Sequence, residues 1–508
     1  MLVINTNYFI VIICYIFTKK RFYMAGMNIM FVTSEAAPYA KTGGLADVCS
    51  SLPKALAKKH KVAVVMPLYS SIDTVKHGIT ELMSGCCVHM GNCEEFYSLW
   101  HASDSGVDFY FIKFDKYFNR EGIYHTRGGE YGDNPYRFSF LSRASFQVAH
   151  DIDFQPDIMH ANDWQTSLVP YYLKKLWDPF FSKTSSVLTI HNIGYQGVYG
   201  SEFTEYAGIR SEDMHDMAFE AFGAVNLLKG GIAFADKITT VSPKYAEEIR
   251  GPIGSSGLHH ILNHRGADLK GILNGIDADV WNPSTDTYLP YRYDVNLLEN
   301  KAKNKGELQK RFHLTENPET ALFGFIGRFA DQKGVYLLQG AIESALNEMA
   351  CQFVVVGSGE SNYEEYFGNL PSRYPGQCGS YIGYSEEIAH LVEAGCDFFV
   401  MPSLYEPCGL NQMYSLVYGT LPVVRATGGL EDTVDNYNEQ TGEGTGFKFN
   451  AISSGAFFDT IGWAVSTYYD RPEHYMAMQK RAMKKDFSWT ASAKEYEALY
   501  KGLKKSRG

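Results

Sequence analysis

The sequence predicts an α/β protein made of two doubly wound domains that face each other across an interdomain cleft. Three observations carry that prediction. Short apolar runs that read as buried strands alternate with helical periodicity along most of the 508 residues. Glycine-bearing loops follow those strands, at the edge where open α/β sheets bind ligands. The series strand, basic glycine loop, helix, strand opens near Asn28 and restarts near Ala321. A chain of this length exceeds one ordinary core, so more than one domain is the physical expectation.

Residues 28–33 (NIMFVT) form the first expected strand. The loop Lys41-Thr42-Gly43-Gly44 follows, then Leu45, Val48, Leu52 and Leu56 at helical spacing, then a strand over 62–66. This is a Rossmann-type opening without G-x-G-x-x-G, so it carries no dinucleotide fingerprint. Further strands are expected over 107–114, 158–160, 187–190, 237–241 and 271–273, with a surface loop at 119–135 and a helix at 136–150. The polar, proline-bearing and tyrosine-rich residues 282–300 read as a linker. The second half opens with a strand at 321–326, the loop from Gly327 to Gly334, a helix at 335–349 and a strand at 353–356.

Four apolar residues at 398–401 read as a buried strand stopped by Pro402 and Ser403. Glu406 follows in a loop with Pro407 and Gly409, ahead of Leu410, Met413, Leu416 and Val417 at helical spacing. A second copy comes next: strand 421–425, loop Thr427-Gly428-Gly429, and a helix from Leu430. Two neighbouring helix starts with unpaired amides suit a strongly anionic group. Ala493, Tyr496, Leu499, Tyr500 and Leu503 make a last amphipathic helix, with Ser488 as its expected N-cap. The boundaries are therefore an extension at 1–26, domains at 27–272 and 273–485, and a terminal helix segment at 486–508. Within the extension, the apolar run at 8–17 is too short to span a bilayer. Its charges, Lys19, Lys20 and Arg21, follow the run instead of preceding it as in a secretory signal. A disordered or non-native extension is expected, with the working protein starting near Met27.

A net charge of −11 argues against nucleic acid and anionic membranes as partners. Any phosphate chemistry must then rest on a few local cations. Nine cysteines without a C-x-x-C pair suit a reducing compartment. Cys86, Cys87, His89 and Cys93 raise a zinc question, but neighbouring cysteines on a strand point to opposite faces and no second ligand pair follows. They are expected to be buried small apolar residues, with no metal.

Arg328 and Lys333 lie on one loop after a strand, the usual device for holding a departing diphosphate. Lys41, with Gly43 and Gly44, offers a third cation and flexible amides from the other domain. His191 in HNIGYQG also follows a strand, although a lone loop histidine is more often structural. Asp163 and Trp164 place a carboxylate and an indole at the same sheet edge, a combination that suits a sugar. Two Asp-x-Asp triplets, at 151–153 and 277–279, are common by chance and are not taken as metal ligands. Gly357-Ser358-Gly359 lacks the third glycine and downstream acid of a nicotinamide site.

Taken together, KTGGLADV at 41–48, HNIGYQG at 191–197, GILNGID at 271–277, GRFADQKG at 327–334, EPCGL at 406–410 and GTLPVVRATGGL at 419–430 resemble bacterial glycogen synthases and plant starch synthases. The resemblance implies a GT-B glycosyltransferase that moves glucose from a nucleotide sugar to the non-reducing end of an α-1,4-glucan, with retention and without a metal or other cofactor. ADP-glucose is the expected donor and UDP-glucose the alternative, as in a granule-bound starch synthase; a related transferase with another acceptor also remains open. A catalytically dead glucan-binding scaffold has no need of the cations, and an oxidoreductase lacks its fingerprint. By the resemblance, Lys41 and Gly44 approach the diphosphate from one domain, and Arg328 and Lys333 from the other. Glu406, Cys408, Gly409, Leu410 and Asn411 hold the glucose and its phosphate, with Asp163 and Asn274. Thr427 and Gly428 belong to the same anionic site, His191 sits by the anomeric carbon, and Tyr384 stacks on the base. The expected location is the cytoplasm, or a plastid for a plant or algal source. Asn162, Gln165 and Asn411 depart from residues common in that family.

Overall fold

The computed structural model describes residues 26–126 and 128–507; residues 1–25 of the expected extension, its apolar run included, lie outside them. The strands divide into two main sheets. The first contains Asn28–Val32 (β1), Lys61–Pro67 (β2), Thr80–Met90 (β3), Cys93–Asp104 (β4), Val107–Lys113 (β5), Ile158–Asn162 (β6), Ser185–Ile190 (β7), Lys237–Thr240 (β8) and Leu269–Gly271 (β9). The second contains Ala321–Phe329 (β10), Cys351–Gly359 (β11), Cys378–Ile382 (β12), Phe398–Met401 (β13), Leu421–Arg425 (β14) and Phe447–Phe449 (β15). In space the first runs β9-β8-β7-β6-β1-β2-β5-β4-β3 and the second β12-β11-β10-β13-β14-β15. Every pairing is parallel except β3 with β4 and β4 with β5.

Parallel strands covered by helices on both faces must be apolar throughout, and the central ones are. Ile29 to Val32 and Phe398 to Val400 are wholly buried. The expected strand at 271–273 lies two residues earlier, at Leu269–Gly271. Ile272 is buried instead just past the ladder. Gly357 and Gly359 serve strand packing: a Cβ there would come within 2.1 Å of Gly327 O and 2.3 Å of Phe329 O.

The last helix, Trp489–Arg507, packs on the first domain and contributes Ala493, Tyr496, Tyr500 and Leu503 to its core. Tyr500 Oη lies 2.6 Å from His160 Nδ1 beneath β6, and Ser492 Oγ donates to Leu273 O at 2.6 Å. Residues 282–298 do not stand free. Leu289 and Tyr293 pack with Ala394 and Tyr418, and Trp281 stacks between His390 and Tyr414 at centroid distances of 3.9 and 3.8 Å. Asp286 accepts from Tyr418 Oη at 2.5 Å and pairs with His390 Nδ1 at 2.7 Å, both buried.

Candidate active site

Each sheet reverses its strand order at one point, and ligands of such sheets sit beyond the carboxyl ends of the strands there. In the first sheet the reversal falls between β1 and β6, whose following loops carry Lys41 and Asp163. In the second it falls between β10 and β13: the strand runs past the expected loop start, so Arg328 stands at the carboxyl end of β10 itself, while Lys333 and Glu406 lie in the segments that follow the two strands. The topology therefore brings the sequence-predicted cations and carboxylates to the two switch points.

On the second domain, Lys333 Nζ meets Glu406 Oε2 at 2.6 Å, and Ser403 Oγ donates to the same oxygen at 3.1 Å. Glu406 is 6 % exposed at its side chain, so this carboxylate is fixed by a cation and a hydroxyl in a nearly dry setting. Arg328 Nη2 reaches Gln332 Oε1 at 3.4 Å, beyond the range of a strong hydrogen bond. Arg425 braces the loop from below, donating through Nε to Ser403 O at 2.7 Å and through Nη2 to Leu404 O. Gly409 has φ +71°, and Gln412 Nε2 ties Cys408 O at 2.9 Å and Gly409 O at 3.1 Å to the helix that follows. Asn411 Nδ2 donates to Ile326 O at 3.0 Å, so its side chain docks the helix start on β10. Gly428 has φ +45°, and a Cβ there would lie 2.0 Å from Glu406 O.

The loops at 406–409 and 427–433 also meet the first domain. Ser242 Oγ donates to Pro407 O at 2.7 Å, and Lys244 N to Asp432 Oδ2 at 2.7 Å. The Glu248 carboxylate accepts from Gly428 N at 3.0 Å and Thr427 Oγ1 at 3.2 Å. Thr427 and Gly428 thus already hold an anion here, supplied by the protein. The buried Cys408 thiol takes a hydrogen bond from the Asn274 backbone, yet burial pushes it up to about 12, so it is an inert packing group. Asn274 Oδ1 is buried without a protein partner.

On the first domain, Lys41 Nζ pairs with Asp47 Oδ1 at 2.7 Å. Its loop is anchored by Glu35, a residue the motif reading missed. Glu35 is 2 % exposed and accepts from Thr42 N, from Thr42 Oγ1 at 2.7 Å and from Tyr124 Oη at 2.5 Å. Its position just past β1 was the available signal. Asp47 is raised chiefly by burial, Lys41 opposes that rise, and the carboxylates of Glu386 and Asp277 add to it. Tyr384 is exposed and donates to Glu386 Oε2 at 2.5 Å.

Asp163 is held by the His191 amide at 2.7 Å, and burial lifts it to about 7 despite that bond and one from the Asn192 amide. Asn162 Nδ2 donates to Val32 O and His160 O, which turns its Oδ1 toward His191 Nε2 at 3.0 Å. That network assigns the proton to Nε2 and leaves Nδ1 as an acceptor. Burial holds His191 at about 3, so the ring is neutral at ordinary pH. Tyr405, beside Glu406, reaches this loop, its hydroxyl 3.8 Å from where a Gly194 Cβ would stand.

Two expectations need correction. Trp164 is not at a sugar-facing edge: it is buried, packs edge-on against Phe138, and lies where a Gly197 Cβ would be 2.4 Å from its ring. Cys87 and Cys93 are not buried, because the edge strand β3 and its partner β4 expose one face. There Cys87, His89 and Glu94 place ligand-type atoms within 4.8 Å of one another, far along the sheet order from the β1–β6 switch point. The Asp-x-Asp triplets are engaged locally, Asp151 with Gln147 Nε2 at 2.7 Å and Asp277 with Asp279 N at 3.0 Å.

The family model for the starch synthase catalytic domain matches residues 28–264, and that for glycosyl transferases group 1 matches residues 307–485. Glycogen synthase of Treponema denticola is 46% identical over 484 residues, covering 93% of this chain and 98% of the relative. Glycogen synthase 1 of Geobacter sulfurreducens is 44% identical over 492 residues, covering 96% and 98%. Among solved structures, the catalytic domain of starch synthase IV from Arabidopsis thaliana, bound to ADP and acarbose, superposes with a TM-score of 0.87 at 32% identity, covering 95% of this chain and all of that one.

Proposed function

The chain belongs to the glycogen and starch synthase family of two-domain glycosyltransferases, and from that premise we propose that it extends an α-1,4-glucan with glucose from ADP-glucose, retaining the anomeric configuration and using no metal. The observation that carries this reading is the meeting of the Glu406 loop, with Lys333 on its carboxylate, and the His191 loop through Tyr405. The similarity to starch synthase IV, solved with ADP, supports the donor class.

As the diphosphate leaves, negative charge grows on it and an oxocarbenium-like centre forms at the sugar. Arg328 and Lys333 stabilise the first, and the cation need not reorganise because β10 and the Glu406 contact hold it in place. Lys41 approaches the same charge from the first domain. His191 presents a neutral Nδ1 to a sugar hydroxyl. The Asp163 carboxyl is turned onto the amides of its own domain, which makes it a poor carboxylate nucleophile. Attack from the face that the diphosphate leaves fits this arrangement, with a leaving phosphate oxygen taking the acceptor proton. No helix among the described residues is long and apolar enough to cross a membrane. On the likeness to bacterial glycogen synthases, we place the reaction in the cytoplasm.

The test is glucose incorporation into glycogen from ADP-glucose and UDP-glucose side by side. Faster incorporation from ADP-glucose is expected, together with a loss of at least about tenfold in Arg328→Ala. Incorporation from neither donor would overturn the reading.

A further inference from the structure

Phe222 stands at the tip of the hairpin formed by Glu220–Ala221 and Ala224–Asn226. Its φ is +52° and that of Gly223 is +84°, the two-residue turn that asparagine and glycine normally fill. A bulky side chain in the left-handed region is strained. Burial does not offset the strain, because Phe222 is fully exposed at 106%. A residue costly both to the backbone and to solvation points to something outside the chain.

Its surroundings say what. The hairpin's second strand also pairs with Val198–Tyr199, which continues directly from the His191 loop. Leu227 N donates to Gly197 O at 3.0 Å and Leu228 N to Gln196 O at 3.0 Å. Gln196 is the hub: Asn226 Nδ2 donates to its Oε1 at 2.6 Å, and its own Nε2 donates to Ser256 O at 2.9 Å in the loop that carries Ile253. The segments that Gln196 ties together carry four exposed apolar side chains, Tyr195, Val198, Phe222 and Ile253, with exposures of 54, 49, 106 and 99%. The rim is tied to the loop of the transfer site by hydrogen bonds, so it is continuous with that site.

We propose that Phe222, with Ile253, is a remote contact for the growing polysaccharide, on which hexose rings several units behind the reacting end lay their apolar C–H faces. This rests on the glucan-synthase reading given above. Polysaccharide fits the rim because hexose rings stack on neutral aromatic and aliphatic groups without needing charge. Phe222 is several residues of strand away from the His191 loop, so only a chain of several units touches both.

The test uses the full chain and two variants, Phe222→Asn, which suits the turn, and Ile253→Ser, measured with glycogen and with maltotriose. The expected result is a KM for glycogen about threefold to tenfold higher in Phe222→Asn. The KM for the donor, kcat, and all maltotriose constants should stay unchanged, and the thermal midpoint should hold or rise because the strained turn relaxes. An unchanged glycogen KM in both variants overturns the proposal, as does an equal change for maltotriose. A switch from dimer to monomer by sedimentation, without a change in KM, would assign the rim to a second copy and overturn it too. If the unaltered protein transfers glucose to neither acceptor, the glucan-synthase reading itself has failed, a result distinct from either of these.

Discussion

Lys333→Ala separates two roles that the same ammonium group plays. In the structure Lys333 neutralises Glu406, whose other close donor is Ser403 Oγ at 3.1 Å. Removing the lysine leaves a nearly buried carboxylate with one hydroxyl. Breaking a fully buried pair costs about 3–5 kcal/mol, and Lys333 is 23% exposed, so about 2 kcal/mol is expected. In a unit of this size that is a fall of roughly 4–8 °C in the midpoint of thermal unfolding. The activity effect has a different origin. If Lys333 stabilises the leaving diphosphate, kcat falls by about a hundredfold or more, as for loss of a preorganised charge partner. The double variant Lys333→Ala, Glu406→Gln removes the stranded charge and keeps a hydrogen-bonding side chain. It should recover most of the midpoint but none of the kcat. Differential scanning fluorimetry and steady-state transfer kinetics on the three proteins read both effects. Recovery of kcat in the double variant would refute the reasoning, because Lys333 would then act by holding Glu406 and not the diphosphate.

Asp163→Asn tests burial electrostatics. Burial raises Asp163 from its ordinary 3.8 to about 7, so the stability it gives is full below the lower value and is lost as pH rises through the upper one. His160 and His191, both held at about 3, act with the opposite sign, losing stability as pH falls below about 6.5. Both histidines are present in both proteins, so their contribution cancels in the comparison, and between about pH 4 and 7 the wild-type thermal midpoint should fall with pH relative to that of Asp163→Asn. Tyr500→Phe strands the buried His160 Nδ1 and should cost about 1–3 kcal/mol, read by urea unfolding, with kcat nearly unchanged. Glu248→Gln keeps an acceptor for Gly428 N but removes an anion from a site suited to phosphate. The KM for the donor, from initial-rate kinetics, should fall by about twofold to fivefold.

The central sheets were legible because physics writes them plainly. A parallel strand covered on both faces has no polar side, so residues 29–32 and 398–400 stand out as apolar runs. The site loops were legible by position, as the first residues past such strands. Other elements were hidden for identifiable reasons. The long hairpin of β3 and β4 exposes most of one face, so its apolar signal is thin. Residues 282–300 looked like a solvated linker because their anchors are polar: Asp286 is buried by pairing with His390 and Tyr418, and Tyr293 Oη donates to Tyr418 O at 2.7 Å. Composition cannot tell a buried polar group with partners from an exposed one. Trp164 misled in the opposite direction, since an indole beside a carboxylate in sequence is compatible with either burial or display. Glu35 was invisible to motif reasoning because it acts on Lys41's loop from beneath and not on a ligand.

The contacts between the domains fall on the loops that carry the anion-type donors. Pro407, Thr427, Gly428 and Asp432 all meet the first domain, at Ser242, Glu248 and Lys244. These loops are stiff relative to their own domain, because Arg425 and Gln412 tie them to strand ends and helix starts. A change in the angle between domains cannot be absorbed there. The chain crosses between domains twice, and the crossings run side by side: Ile276 N donates to Phe487 O at 2.8 Å and Ile276 bridges to Ser488. Gly275 leaves no room for a Cβ, which would stand 2.7 Å from Trp489 Cα. Rotation about this paired crossing would make and break the Ser242, Lys244 and Glu248 contacts together. If a donor phosphate draws on the Gly428 amide that Glu248 now occupies, donor affinity and domain angle are linked, and each must shift the other.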